Sequence, residues 1–188
     1  MSNQKHQIFF AKQTIGSACH TANQPIRKNA SLSPLLSTLF FLLVLCFCSC
    51  DPDRIYESNI NFHATGWKSI ERARFEVEIT DTISPCNIFI NVRNNSDYKY
   101  MDLWLFVDVY SPSGIAERDT VNIILADHRG KWLGHGLGNK FDTRMVFRKN
   151  IWFPVSGKYV FEYEQAMRDE PLTGIDDIGL RIEKHHVK

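Results

Sequence analysis

Beyond residue 50 the chain has almost no cysteine: Cys19, Cys46, Cys48 and Cys50 fall in or beside the first 50 residues, and only Cys86 lies in the body. That distribution argues against a disulfide framework. Cys46, Cys48 and Cys50 alternate at the end of an apolar run and lack the two-residue gap of a zinc knuckle. Acidic residues are missing from residues 1–49, whose formal charges are Lys5, Lys12, Arg27 and Lys28. Setting those four aside leaves 18 basic against 21 acidic residues, a formal charge of −3 on the remainder. With no dense Lys/Arg run, this mildly acidic body offers no electrostatic footprint for a phosphate backbone, and no nucleic-acid partner is expected. Internal repeats, low-complexity linkers and a sustained 3.6-residue period are also lacking, which argues against solenoids and helical bundles.

What is present begins with the stretch from Leu35 to Cys48, LLSTLFFLLVLCFC, an almost unbroken apolar run behind a basic segment. That is the layout of a secretory signal, and it falls short of the roughly 20 apolar residues a spanning helix needs. Small Ser49 precedes Cys50, and FCSC resembles a lipobox, in which a small residue precedes the cysteine that is acylated and becomes the mature N-terminus. Cys50 fits that role, whereas Cys48 follows bulky Phe47. The expected division is therefore a lipoprotein signal peptide over 1–49, a lipidated tether over 50–58 and a folded domain over 59–188. Buried methylenes contribute roughly 0.8 kcal/mol each, so two or more acyl chains hold a protein on a membrane where one is marginal.

The body has the alternation of half-buried strands. Phe75, Val77 and Ile79 share one face, with Glu76 and Glu78 on the other. Ile88, Ile90 and Val92 repeat the pattern. Asn94, Asn95, Ser96 and Asp97 form a turn cluster before Tyr100 to Tyr110, where Leu103, Leu105, Val107 and Val109 face one way. Further strands are expected at Thr120–Ala126, Thr143–Arg148, Lys158–Tyr163 and Ile178–Glu183, and a short helix at Glu164–Glu170. Short alternating segments separated by turn signals predict an all-β fold, an antiparallel β-sandwich of jelly-roll or immunoglobulin-like order.

The most enzyme-like stretch is Asp127 to Gly138, DHRGKWLGHGLG. It is no phosphate cradle, because Lys140 is followed by Phe141 and Asp142 where a P-loop needs GK[ST]. His128 and His135 lie seven apart, but the intervening glycines argue against the helix that would align them. His63 stands alone, His185 and His186 belong to the C-terminal tail, and neither a metal site nor another cofactor is expected. No Ser-His-Asp or Cys-His signature appears, and Cys86 beside Pro85 reads as a small packed residue. The glycine-rich stretch is expected to be a structural turn, with Trp132 as a candidate interaction residue on it. Trp67, Trp104, Trp132 and Trp152, with Tyr98, Tyr100 and Tyr110, offer a second expectation, stacking platforms for a carbohydrate. Trp104, between Leu103 and Leu105, is expected to fill the second side of a buried strand, leaving Trp132 the most exposed tryptophan.

Three segments carry a family resemblance: VRNNSDYKYMDLWLF at 92–106, DTVNIILADHRGKWLGHGLG at 119–138 and FPVSGKYVFEYEQAMRDEPLTGIDDIGLRIEK at 153–184. With the lipobox-like Cys50 they resemble the gliding-motility lipoproteins of the GldH type found in the Bacteroidetes. The resemblance implies a non-catalytic assembly or stability component of the envelope machinery for gliding and its associated protein secretion. It also implies a membrane-anchored lipoprotein of the outer membrane facing the periplasm, with other envelope motility or secretion proteins as partners. Only the lipid-bearing Cys50 carries over by position.

Overall fold

Eight strands account for the regular structure of the computed structural model, which describes residue 38 and residues 51–62, 65–114 and 116–185. They are β1 (Arg54–Asn61), β2 (Ala73–Ile79), β3 (Cys86–Asn95), β4 (Asp102–Tyr110), β5 (Ala116–Ile124), β6 (Lys140–Ile151), β7 (Gly157–Gln165) and β8 (Ile175–Lys184). All belong to one compact unit, Cys50–Lys188.

The pairing has a simple rule. β1 pairs with β8, β2 with β7, β3 with β6 and β4 with β5, always antiparallel. The chain is thus one long hairpin ribbon, rolled so that successive strand pairs alternate between two sheets. Contacts β3–β8 and β4–β7 complete the sheets in the orders β1-β8-β3-β6 and β2-β7-β4-β5. Eight strands in that order form a jelly roll rather than the seven- or nine-stranded immunoglobulin arrangement.

Alternation places the core between the sheets. Phe75 and Val77 of β2, Ile88, Ile90 and Val92 of β3, Leu103, Leu105 and Val107 of β4, and Ile178, Leu180 and Ile182 of β8 are buried. Each such side chain contributes about 1.5–3 kcal/mol when fully buried. Trp67, also buried, stacks on Phe62 at 4.4 Å and donates its Nε1–H to Glu71 O. Cys86 is a packed thiol at the start of β3, and burial pushes its pKa up. Between the edge strands, Arg148 of β6 bridges to Asp119 and Glu117 of β5, closing one side of the sandwich.

Three expectations require correction. β1 begins at Arg54, within the segment expected to be tether, and pairs with β8 from Arg54↔Glu183 to Asn61↔Asp177. A register shift between Arg54 and Tyr56 breaks the parity of RIYESNIN, so the strand shows no clean alternation. The expected helix at Glu164–Glu170 is absent: β7 continues to Gln165, whose buried side chain binds the next residues. Gln165 Oε1 accepts from Met167 N at 2.8 Å, and Nε2 donates to Asp169 O and to Glu170, so local side-chain bonding replaces a helical turn. Trp104 does not fill a buried side; it is 42% exposed on the outer face of β4.

Strand direction sorts the loops between two ends. The N-terminal segment 51–53 and the β2–β3, β4–β5 and β6–β7 connections share one end, called the near end. The β1–β2, β3–β4, β5–β6 and β7–β8 connections share the far end.

Candidate interaction surface

Both outer sheet faces are laced with charge. On the β2-β7-β4-β5 sheet, Arg72 pairs with Asp108, Glu162 and Glu164, Arg118 with Asp108 and Glu164, and Arg74 with Glu76 and Glu162. Arg118 also lies 4.6 Å over the Phe106 ring. On the other sheet Arg181 of β8 sits among Asp51, Glu57 and Glu183, with Arg144 of β6 beside the last two. Such faces are wet and self-satisfied. The large apolar side chains that reach solvent gather mainly on the connections: Ile83, Trp152 and Val155 at the near end, Ile70, Met101, Leu133 and Leu137 at the far end.

The β5–β6 connection, 125–139, is the longest of the far-end loops whose residues are all described. It is built, not loose. Asp127 N donates to Lys131 O, and Gly130 N to Asp127 O. The Asp127 carboxylate accepts from the backbone N–H groups of Arg129 and Lys131 at 2.8 and 2.9 Å. Gly130 supplies the positive φ of 78° that closes this turn. The turn residues bring Ala126 and Trp132 opposite each other, and the chain then runs antiparallel to β6 through a His135↔Asp142 pair. Gly136 lies so close to β6 that a Cβ there would stand 1.8 Å from Lys140 O.

Trp132 is half-buried and is the inner wedge of this loop. Its ring stacks on Phe141 at 5.5 Å and tilts against Tyr98 at 6.4 Å, packing on the core. It is therefore not the most exposed tryptophan; that is Trp152, 54% exposed at the near end. With Trp132 inside, the loop turns Leu133 and Leu137 outward, Leu137 at 94% exposure. The sequence carried a signal for this, since Leu137 stands between Gly136 and Gly138 with polar His135 and Asn139 at strand spacing on either side.

A family model of the GldH lipoprotein matches residues 54–182, from the first residue of β1 to within two residues of the end of β8. The chain belongs to the GldH lipoprotein family. A gliding motility lipoprotein GldH homolog of Christiangramia forsetii is 34% identical over 153 residues, covering 78% of this chain and 93% of that protein. Gliding motility lipoprotein GldH of Flavobacterium johnsoniae is 28% identical over 155 residues, covering 79% of this chain and 96% of that protein. Among solved structures, an infectious bursal disease virus VP2 subviral particle aligns with a TM-score of 0.30 at 14% identity, over 69% of this chain and 30% of the viral one. The virus Gx strain aligns at 0.29 and 16%, over 71% and 31%. This chain thus spans about a third of the length of those viral chains, and the likeness is too slight to bear on the fold.

Other residues of the chain that carry chemistry in principle are dispersed. His128 and His135 lie on the β5–β6 loop, and His185 Nδ1 lies 3.2 Å from Asn87 Nδ2. Among the described residues, no three His, Cys, Asp or Glu side chains come together as a metal-holding group. Cys50, His63 and His186 lie outside the described residues. The far end also holds a polar cleft of ≈ 840 Å³ lined by Asn61, Asn95, Asp97, Lys99, Lys140 and Asp176, among others. Lys140 pairs there with Asp176 at 2.9 Å. On the outer face of the other sheet, Trp104 of β4 donates its Nε1–H to Asp102, which also accepts from Asn122 of β5 at 2.7 Å.

Proposed function

We propose that this chain is an envelope lipoprotein, acylated at Cys50, that serves as a non-catalytic assembly or stability component of the gliding-motility machinery and its associated protein secretion. The Gly-rich loop carries the reading for a docking role: Trp132 locks it to the core while Leu133 and Leu137 point to solvent. Rigid loops with exposed apolar side chains are suited to anchoring a protein partner, because little conformational entropy remains to be lost on binding. The partners are other envelope motility or secretion proteins, and the site is the periplasmic side of the outer membrane. Family membership supports the envelope setting of both, and the self-paired charge on the outer sheet faces, which leaves the loop ends as the apolar surfaces, supports docking through a loop.

Two variants test it. Leu133→Asp/Leu137→Asp leaves the fold intact and abolishes co-purification of envelope motility proteins from detergent-solubilised membranes; full retention of those proteins overturns the docking role. Cys50→Ala moves the protein out of the membrane fraction, and an unchanged membrane fraction with an unmodified cysteine in wild type overturns the anchor.

One observation favours a second reading, a carbohydrate-binding module. Trp104 is an exposed aromatic with polar Asp102 and Asn122 beside it, the pairing of platform and hydrogen-bonding groups a sugar ring requires. Loss of peptidoglycan or polysaccharide retention in Trp104→Ala, with envelope complexes intact, would select this reading over docking.

A further inference from the structure

Asp51, the residue after Cys50, is not the end of a free tether. Its carboxylate accepts hydrogen bonds from Arg181 Nη2 and, at 3.4 Å, from Asp53 N. Asp53 O in turn accepts from Lys184 N at 2.8 Å, extending the β1–β8 ladder by one rung. Residues 51–53 are therefore folded against the near end of β8. Consecutive Cα atoms are about 3.8 Å apart, so a lipid on Cys50 leaves almost no slack between membrane and domain.

The same end exposes apolar loops. Pro52, Arg54 and Ile55 line one hollow with Ile79, Asp81, Cys86 and Phe153, which ties the anchor corner to the β2–β3 and β6–β7 connections. Ile83 is 85% exposed at the tip of the β2–β3 loop. That tip is held outward by the Asp81 carboxylate, which accepts from Ile83 N and Ser84 N at 2.9 Å each. Trp152 and Val155 reach solvent on the β6–β7 loop. Exposed aliphatic tips beside a tryptophan match the headgroup boundary of a bilayer, where an amphipathic ring is at home.

We infer that the near end of the sandwich lies against the bilayer that receives the Cys50 lipid, with Ile83, Trp152 and Val155 seated at its interface as a second contact. This rests on acylation of Cys50. The consequence is orientation: a domain held by lipid and loop tips together turns its far end, with Leu133, Leu137 and Trp104, away from the membrane toward partners.

The test uses the mature acylated protein, which begins at Cys50, in phosphatidylcholine vesicles, with a fluorophore at Ile83→Cys, Val155→Cys or Leu137→Cys. Buried Cys86 does not compete for label. An acyl-chain nitroxide quencher in the lipid is expected to dim the labels at 83 and 155 at least about twofold while sparing 137, as interfacial insertion requires. Equal quenching at all three positions overturns the inference, as does quenching of 83 and 155 by aqueous iodide. Shielding of both from lipid and aqueous quenchers alike also overturns it, because a protein then covers this end. Mass spectrometry of the same sample separates the two levels: acylated Cys50 with unquenched labels removes this inference alone, whereas unmodified Cys50 removes the lipoprotein reading and this inference with it.

Discussion

At Arg181 three carboxylates, from Asp51, Glu57 and Glu183, converge on a guanidinium that is 8% exposed. Burial opposes the charge, yet the bonds to Asp51 and Glu183 raise the Arg181 pKa above its ordinary value. Arg181→Met leaves those carboxylates facing one another. Because they remain partly solvated, the expected cost is about 1–2 kcal/mol rather than the 3–5 of a fully buried pair, read as a lower urea midpoint at pH 7. Tyr163 presents the opposite case. Its ring is wholly buried against Phe75 at 5.2 Å, burial pushes the phenol pKa up, and among the described residues its hydroxyl has no hydrogen-bond partner. Tyr163→Phe is therefore expected to match or exceed wild-type stability, by up to about 1 kcal/mol, in the same denaturation assay. Neither residue announces itself in the sequence, where Arg181 is one more charge in a strand and Tyr163 one more alternating aromatic.

Among the elements, the β5–β6 loop and β1 depart most from what their sequences suggest. The loop's glycines and Asp127 did indicate a turn, but Trp132 inside and Leu137 outside depend on Phe141 and Tyr98, which β6 and the β3–β4 connection bring to the site. Trp132→Ala should thus cost about 3–4 kcal/mol, the range for large aromatic truncations, whereas Leu137→Asp should stay within about 0.5 kcal/mol of wild type by urea denaturation. Comparable losses in both would remove the distinction between wedge and docking tip. β1 carries a pH dependence. Asp51 is lowered first by its bond from Arg181, and Glu57 is lowered by Arg54 and Arg181 against the effect of burial. Since both folded values lie below the ordinary 3.8 and 4.5, their contribution is complete above that range and fades as pH falls through the lowered values. Protection factors of the β1 amides, exchange rates referred to the unstructured chain at the same pH, should accordingly fall below about pH 4 before those of the β4–β7 core do, by the same linkage. β1 escaped recognition because its bulge breaks the period of two on which strand assignment depends.

For the whole molecule, the rolled hairpin makes the first strand the partner of the last. Arg54 pairs with Glu183, and Ala73 with Tyr163, so most pairings join distant chain segments. Such topology favours slow, cooperative folding, on the order of milliseconds to seconds, because loop closure precedes any gain from the pairing. Far-UV circular dichroism and tryptophan fluorescence should trace coincident urea transitions; separate midpoints would show that the sheets unfold independently. The sequence by itself determined the all-β class and the identity of most core strands, because alternation of apolar residues and turn chemistry are local properties that two-residue periodicity exposes directly; the family was legible through the resemblance of three segments of the chain. Tertiary structure alone decided the jelly-roll order, the outward turn of Trp104, the inward turn of Trp132 and the clamp that folds Asp51 onto β8. Each of these depends on which distant strand becomes a neighbour, and that choice is made by shared burial between sheets rather than by any short stretch of chain.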